Sequence, residues 1–234
     1  MAVQQYLMMG TSSVSRNIVT GELWAWGQNN VGQLGLGNTT NTGGYAPGDL
    51  PAQVGSLTDW QNTINCGSGT YNAFIMVKSD GTMWGWGYNS NGQLGLGDTT
   101  TRSSPVQVGS DTDWAEATLL GTDRSFGVKT DGTLYSWGNG AGGWLGHSNT
   151  TNYSAPTQVG SLTDWKHIVQ SQGGGRIVAL KTDGTMWQWG SNWTTWHAGH
   201  FSSPVQVGSD TDWTDVVAAG YTGPYQVNFA IKEA

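Results

Sequence analysis

The sequence is short of the groups on which several kinds of protein depend. Only one of 234 residues is cysteine, Cys66, which excludes an internal disulfide framework and a structural zinc site built on several thiolates. Charged residues make up 11%, and nine Lys and Arg against sixteen Asp and Glu leave a net charge of −7. The four arginines, Arg16, Arg102, Arg124 and Arg176, lie far apart, so no phosphate-tracking footprint exists and no nucleic-acid partner is expected. Prolines number six, and no strict Gly-X-Y period accompanies the glycines, which excludes collagen. The start, Met1-Ala2-Val3-Gln4-Gln5-Tyr6-Leu7-Met8-Met9, has no basic region and no long apolar run, so neither a secretory signal peptide nor membrane insertion is expected. No stretch reads as a long amphipathic helix.

Glycine and tryptophan are abundant instead. There are 37 glycines, well above the usual share of roughly 7%. Fourteen Trp, eight Tyr and four Phe supply more burial capacity than a disordered chain carries, so the protein is folded.

These residues recur in order. An aromatic-x-Trp-Gly step appears as Trp24-Ala25-Trp26-Gly27, Trp84-Gly85-Trp86-Gly87, Tyr135-Ser136-Trp137-Gly138 and Trp187-Gln188-Trp189-Gly190. A Pro-x-Gln-Val-Gly step begins at Pro51, Pro105, Pro156 and Pro204 (in the third copy Thr157-Gln158-Val159-Gly160 follows the proline), and Thr-Asp-Trp follows each, ending at Trp60, Trp114, Trp165 and Trp213. Four units of about fifty residues result, near 21–81, 82–132, 133–184 and 185–234, with residues 1–20 outside as an N-terminal arm or cap.

Within one unit the pattern predicts four strands. From Trp165, Lys166-His167-Ile168-Val169-Gln170 and Arg176-Ile177-Val178-Ala179-Leu180-Lys181 are the first two, and Thr182-Asp183-Gly184 is a tight turn. Thr185-Met186-Trp187-Gln188-Trp189 and Pro204-Val205-Gln206-Val207 complete the set. Such units at this period fit an all-β fold, a β-propeller of four four-stranded blades, since one blade alone cannot bury both faces. The Trp of both markers, with Trp24, Trp84 and Trp187, are expected to fill the wedges between blades.

Two copies of Gly-Gln-Leu-Gly-Leu-Gly, at 32–37 and 92–97, follow the Trp-Gly-x-Asn step. With Pro-x-Gln-Val and the strand leading to Lys-x-Asp-Gly, they resemble the repeat of the regulator of chromosome condensation family over residues 21–234. The resemblance implies a propeller of the family kind. Its functions vary: the nuclear member is seven-bladed, exchanges nucleotide on a small GTPase and touches chromatin, and a bacterial relative inhibits β-lactamases by binding over them. The wording of the repeats is also similar to arrays in environmental bacteria and tailed phages. Four units fall short of seven. The third copy becomes Gly142-Gly143-Trp144-Leu145-Gly146-His147, the fourth is replaced by Asn192-Trp193-Thr194-Thr195-Trp196-His197-Ala198-Gly199-His200, and the first carries extra residues around Tyr45.

The final strand, Asn228-Phe229-Ala230-Ile231-Lys232, matches the strand before each Asp-Gly turn, and Glu22-Leu23-Trp24-Ala25-Trp26 matches the strand after it. Leu23, Trp24 and Trp26 are therefore expected to pair with Phe229 and Ile231 and close the ring, within one chain or between chains.

No nucleophile elbow, phosphate loop, zinc-protease helix or paired-carboxylate motif is present, so no enzyme activity and no cofactor are expected. Asp59, Asp113, Asp164 and Asp212 in Thr-Asp-Trp, like Asp80, Asp131 and Asp183 in Asp-Gly, are read as bonding to turn backbone. Asp111-x-Asp113 and Asp210-x-Asp212 lack the spaced ligands of a calcium loop, and no metal is assigned to them. His147 and His167 are read as surface residues. His197 and His200 with Trp193 and Trp196 form a polar and aromatic cluster, and together with Tyr45 and Trp144 they are the candidate ligand or partner contacts. Four sequons, at Asn38, Asn149, Asn152 and Asn192, read as polar loop sequence.

Three functions stand at this point. The first is a non-enzymatic structural or binding propeller in a phage virion (tail, fibre or capsid decoration) or bacterial surface assembly, acting through protein contacts. The second is a soluble, cytoplasmic regulator that binds a protein in the manner of an exchange factor or inhibitor. The third is a carbohydrate-binding propeller resting on Tyr45, Trp144, Trp193 and Trp196.

Overall fold

The computed structural model describes residues 20–42, 50–61, 65–66, 72–170, 176–190, 201–218 and 228–232. Candidate contacts Tyr45, Trp193, Trp196, His197 and His200 lie outside them, as do residues 1–19 and the side chain of Phe229.

The described chain is all-β apart from one 3-10 turn at Ala141–Gly143. Short pieces come first: β1 (Thr20–Gly21), β2 (Trp24–Ala25), β3 (Ala52–Gln53) and β4 (Trp60–Gln61). Three four-stranded antiparallel sheets follow in simple chain order. The first full blade is β5 (Asn65–Cys66), β6 (Ala73–Val77), β7 (Met83–Gly87) and β8 (Arg102–Gln107). The second is β9 (Trp114–Leu120), β10 (Arg124–Lys129), β11 (Leu134–Gly138) and β12 (Tyr153–Gln158). The third is β13 (Trp165–Gln170), β14 (Arg176–Lys181), β15 (Met186–Gly190) and β16 (Phe201–Gln206), the four strands expected from Trp165 onward. The pair β17 (Trp213–Ala218) and β18 (Asn228–Lys232) forms a two-stranded sheet, and so does the pair β2 and β3. These pairs are two half-blades, one carrying the first two strands of a blade and the other the last two.

The strands lack clean alternation because each full blade is covered on both sides. In β6, Ala73, Ile75 and Val77 pack with Leu94, Trp114 and Trp137 of one core cluster, whereas Met76, with half-buried Phe74 against it, packs with Trp60 and Trp86 of another. Hairpins between second and third strands are set by sequence. Asp80, Asp131 and Asp183 each accept hydrogen bonds from the backbone N–H and the Oγ1 hydroxyl of the threonine two residues on, at 2.9–3.0 and 2.6 Å. This is the turn role expected of these three. Those bonds hold all three carboxyls below their ordinary value of 3.8. A carboxyl lowered in the folded state adds stability above 3.8, and that contribution disappears as pH falls through the lowered value. The melting temperature is therefore expected to drop between pH 5 and the acid limit, and Asp→Asn at positions 80, 131 and 183 together to flatten that profile. A wild-type profile that stays level in acid would show that the turns carry no such linkage.

Candidate functional site

Antiparallel order puts the Asp-Gly turns and the Thr-Asp-Trp segments at one end of every blade. The turn of each blade reaches the next: the backbone N–H of Trp114, Trp165 and Trp213 donates to the carbonyls of Gly81, Gly132 and Gly184 at 3.1–3.2 Å. Within a blade, the N–H groups of Ser79, Thr130 and Thr182 donate to the carbonyls of Asp59, Asp113 and Asp164 at 2.8–3.1 Å. The result is a continuous band of contacts from Asp59 to Lys232.

This turn face carries a repeated lysine clamp that the sequence did not reveal. The ammonium groups of Lys78, Lys129, Lys181 and Lys232 pair with Asp59, Asp113, Asp164 and Asp212 at 2.8, 3.0, 3.3 and 3.0 Å. The expectation that these four aspartate side chains serve turn backbone is therefore corrected: each holds a lysine delivered by the end of the second strand. The lysines also lie over aromatic rings, Lys181 at 4.9 Å from Trp165 and 4.2 Å from Trp187, Lys129 at 5.2 Å from Trp114 and 5.3 Å from Tyr135. The Asp-x-Asp pairs are filled by the same device. Lys129 lies 2.7 Å from Asp111, and Lys232 lies 2.5 Å from Asp210, so an ammonium occupies the space between the carboxylates. Burial works against the Lys129 charge, yet its bonds to Asp111 and Asp113 prevail and raise its pKa; bonds to Asp210 and Asp212 raise that of Lys232. Asp59, Asp80, Asp111, Asp113 and Asp131, continued by Asp164, Asp183, Asp210 and Asp212, outnumber the four lysines along the band. The turn face is acidic.

The opposite end carries the long loops between third and fourth strands, and these build the seams. In the first two loops, Asn29 and Asn89 accept from the N–H of Leu34 and Leu94 at 2.9 Å and donate to loop carbonyls. Each loop then reaches the following blade, where the Nε1 of Trp86, Trp137 and Trp189 donates to the carbonyls of Gln33, Gln93 and Trp144 at 3.1, 2.9 and 2.9 Å. In the degenerate third loop, Ser148 takes the place of Gly37 and Gly97 and keeps their positive φ, at 61°.

Trp144 is half-buried in that loop, its ring 3.8 Å from the Arg124 guanidinium and its carbonyl in the seam bond. Of the six candidate contacts it is the one within the described residues, and it is engaged in packing. Burial lowers the Arg124 pKa, and Asp123, 3.1 Å from its Nε, opposes that. Two histidines read as surface residues are structural. His147 Nε2 is 2.9 Å from Ser136 Oγ and its pKa is lowered by burial, and His167 Nδ1 meets Glu116 of the neighbouring blade at 2.9 Å. Sequence offered no signal for either, because the partners lie on other strands.

The two half-blades expose what the full blades cover. Trp26 occupies the position of Trp86, Trp137 and Trp189, all buried, yet it is 61% exposed, and Trp24 is 48% exposed. The expectation that both are core residues is corrected: the strand that should lie beside β2 is not paired with it. Ile231, at the position of buried Val77, Val128 and Leu180, is 53% exposed. Among the described residues no ladder joins β18 to β2, so the expected pairing of Leu23, Trp24 and Trp26 with Phe229 and Ile231 is not formed there. An apolar groove of about 290 Å³ lies between the first half-blade and the first full blade, lined by Leu23, Trp24, Trp26, Phe74, Met76 and Trp86 among others. No group of three His, Cys, Asp or Glu side chains placed to hold a metal ion occurs among the described residues.

The chain resembles known proteins in both sequence and architecture. It is 34% identical over 178 residues to the RCC1 domain-containing protein RUG3, mitochondrial, of Arabidopsis thaliana, covering 74% of this chain and 38% of that protein. It is 32% identical over 175 residues to the ultraviolet-B receptor UVR8 of Arabidopsis thaliana, again covering 74% of this chain and 38% of the relative. The chain thus spans well under half the length of these relatives. Among solved structures, Prp20p of Saccharomyces cerevisiae, a protein that binds Gsp1p and histones, superposes with a TM-score of 0.67 at 19% identity, over 92% of this chain and 52% of that one. Human WBSCR16 superposes with a TM-score of 0.66 at 21% identity, over 80% of this chain and 48% of that one. The model of the regulator of chromosome condensation (RCC1) repeat matches residues 20–71, 80–117 and 131–180, and by that match the chain belongs to this repeat family.

Proposed function

We propose that the chain is a non-enzymatic, protein-binding regulator whose turn face meets a basic surface on its protein partner. The observation that carries this reading is the acidic band along that face, held rigid by backbone bonds and lysine clamps on successive blades. Its carboxylates bond to turn threonines or lysines, an arrangement suited to electrostatic complementarity rather than acid–base chemistry. Membership of a family whose relatives include a receptor and a protein that binds Gsp1p and histones supports regulation by protein contact. The same relatives favour this reading over a virion or surface-assembly subunit and over a glycan binder.

The test is biolayer interferometry of the 234-residue chain against core histones, Gsp1p and a glycan array. Saturable binding to a basic protein, weakening about tenfold between 50 and 200 mM salt, is the expected result. Asp111→Asn with Asp210→Asn is expected to weaken it further. Glycan binding without protein binding would overturn the proposal.

A further inference from the structure

The strongest unassigned feature is the pair of open half-blades, and their details match each other residue by residue. In every full blade the lysine ending the second strand lies over a ring of the third strand, Trp84 for Lys78 at 5.3 Å, and in the second and third full blades it also lies over the ring of the Thr-Asp-Trp segment. For Lys181 the two rings are Trp165 and Trp187, and for Lys129 they are Trp114 and Tyr135. The two rings of each set also meet edge to face, with centroids 5.2–6.0 Å apart. Among the described residues Lys232 lies over the first ring alone, Trp213, at 4.5 Å. The missing second ring is Trp24, which stands at the position of Trp84, Tyr135 and Trp187 and is half exposed on the other half-blade.

Register gives the same answer. The ladder of β6 on β7 sets Phe74 opposite Trp86, Ile75 opposite Gly85, Met76 opposite Trp84 and Val77 opposite Met83. The ladder of β14 on β15 repeats it with Leu180 opposite Met186 and Ala179 opposite Trp187. β18 is paired with β17 as β14 is with β13, Lys232 standing opposite Trp213 as Lys181 stands opposite Trp165. Carried over, Ile231 stands opposite Leu23, Ala230 opposite Trp24, position 229 opposite Ala25, and Asn228 opposite Trp26. Exposed Ile231 then enters a site that is buried in every full blade.

Whether one chain can make this joint depends on where its two edges lie. The chain superposes over 92% of its residues on about half of Prp20p, so its blades follow about half of a larger ring. An arc of that extent sets its two edges at opposite ends. We propose that the open half-blades are an interface for a second copy of this chain: two copies join head to tail, the β18 of each completing the blade begun by the other's β2, and a two-fold axis closes the ring. Both joints are then identical, and the open edges of β2 and β18 are paired in each. The apolar groove beside Trp24 and Trp26 is covered by the incoming strand. This proposal does not rest on the turn-face reading: Lys232 belongs to both, but the joint is made by pairing β18 with β2 and the band by carboxylates, so either can fail alone.

The experiment is a cross-link at the inferred register. Leu23→Cys and Ile231→Cys are combined in a Cys66→Ser background, oxidised, and run on a denaturing gel with and without reductant. The expected product is a species of twice the 24.9-kDa chain mass that returns to single mass on reduction. A disulfide within one chain, seen as consumed thiols at single mass, would overturn the proposal, and so would free thiols. In parallel, the unmodified chain is expected to sediment at twice the single mass, and Trp24→Glu with Trp26→Glu to return it to single mass with its circular dichroism unchanged. These two tryptophans are exposed in the single chain, so this variant reads the joint without touching the core. A wild-type chain that sediments at single mass, or a particle unaffected by the two charges, would equally overturn it.

Discussion

Replacing Trp137 by Ala is expected to remove about 3–5 kcal/mol of stability, seen as a lower midpoint in urea denaturation followed by circular dichroism. The indole is fully buried at the seam between the first and second full blades, packed with Ile75, Leu94 and Trp114. Its Nε1 donates to the Gln93 carbonyl at 2.9 Å. That carbonyl also accepts from Ser125 Oγ at 2.6 Å, so the substitution does not orphan it, and the cost comes from the emptied ring site. Trp26→Ala is the internal control. It removes the same residue type from the equivalent repeat position, but from a side chain 61% exposed in the single chain, and at dilutions where the chain is single it is expected to cost under about 1 kcal/mol. Equal losses in the two variants would mean that the seam bond and the ring site do not hold the blades together.

Gly132→Ala is expected to cost about 3 kcal/mol or more, by two effects that act at once. The residue has φ +78°, a left-handed conformation that a Cβ disfavours. A methyl group there would also lie 2.1 Å from the Thr163 carbonyl oxygen, backbone of the next blade that can withdraw only by parting the seam. Gly160→Ala separates the two effects. Its φ is +63°, and nothing lies within 4 Å of the Cβ position, so only the conformational cost of about 1 kcal/mol is expected. Thermal melts of both variants give the difference. If Gly132→Ala melts no lower than Gly160→Ala, the turn is not a contact point between blades.

Much of this architecture was legible because its signals are local. Asp183-Gly184 names its own turn, and Trp187 and Trp189 repeat at the spacing of one strand face, so hairpins and blade order followed from short segments. The lysine clamps were not legible in this way. Lys78 and Asp59 are nineteen positions apart, and nothing in either neighbourhood says that the second strand's end returns to the segment before the first. Thr-Asp-Trp looked like turn chemistry because Asp in a polar tripeptide usually is. The pairing of His167 with Glu116 was hidden for the same reason, since it joins strands of two different blades. The exposure of Trp24 and Trp26 follows from the unpaired edge of β2, which no repeat motif records. Of the candidate contacts, Trp144 proved to be committed to the Arg124 stack, a role invisible without the neighbouring strand.

The half-blades have a bearing on how such genes change length. A stretch from one Asp-Gly turn to the next, such as Gly81 to Asp131, contains β7 and β8 of one blade and β9 and β10 of the following one. Duplicating or deleting such a stretch inserts or removes one whole blade and leaves every strand with a neighbour of the right kind. Blade number is thus free to drift by unequal crossing-over while the joint that closes the structure is inherited unaltered.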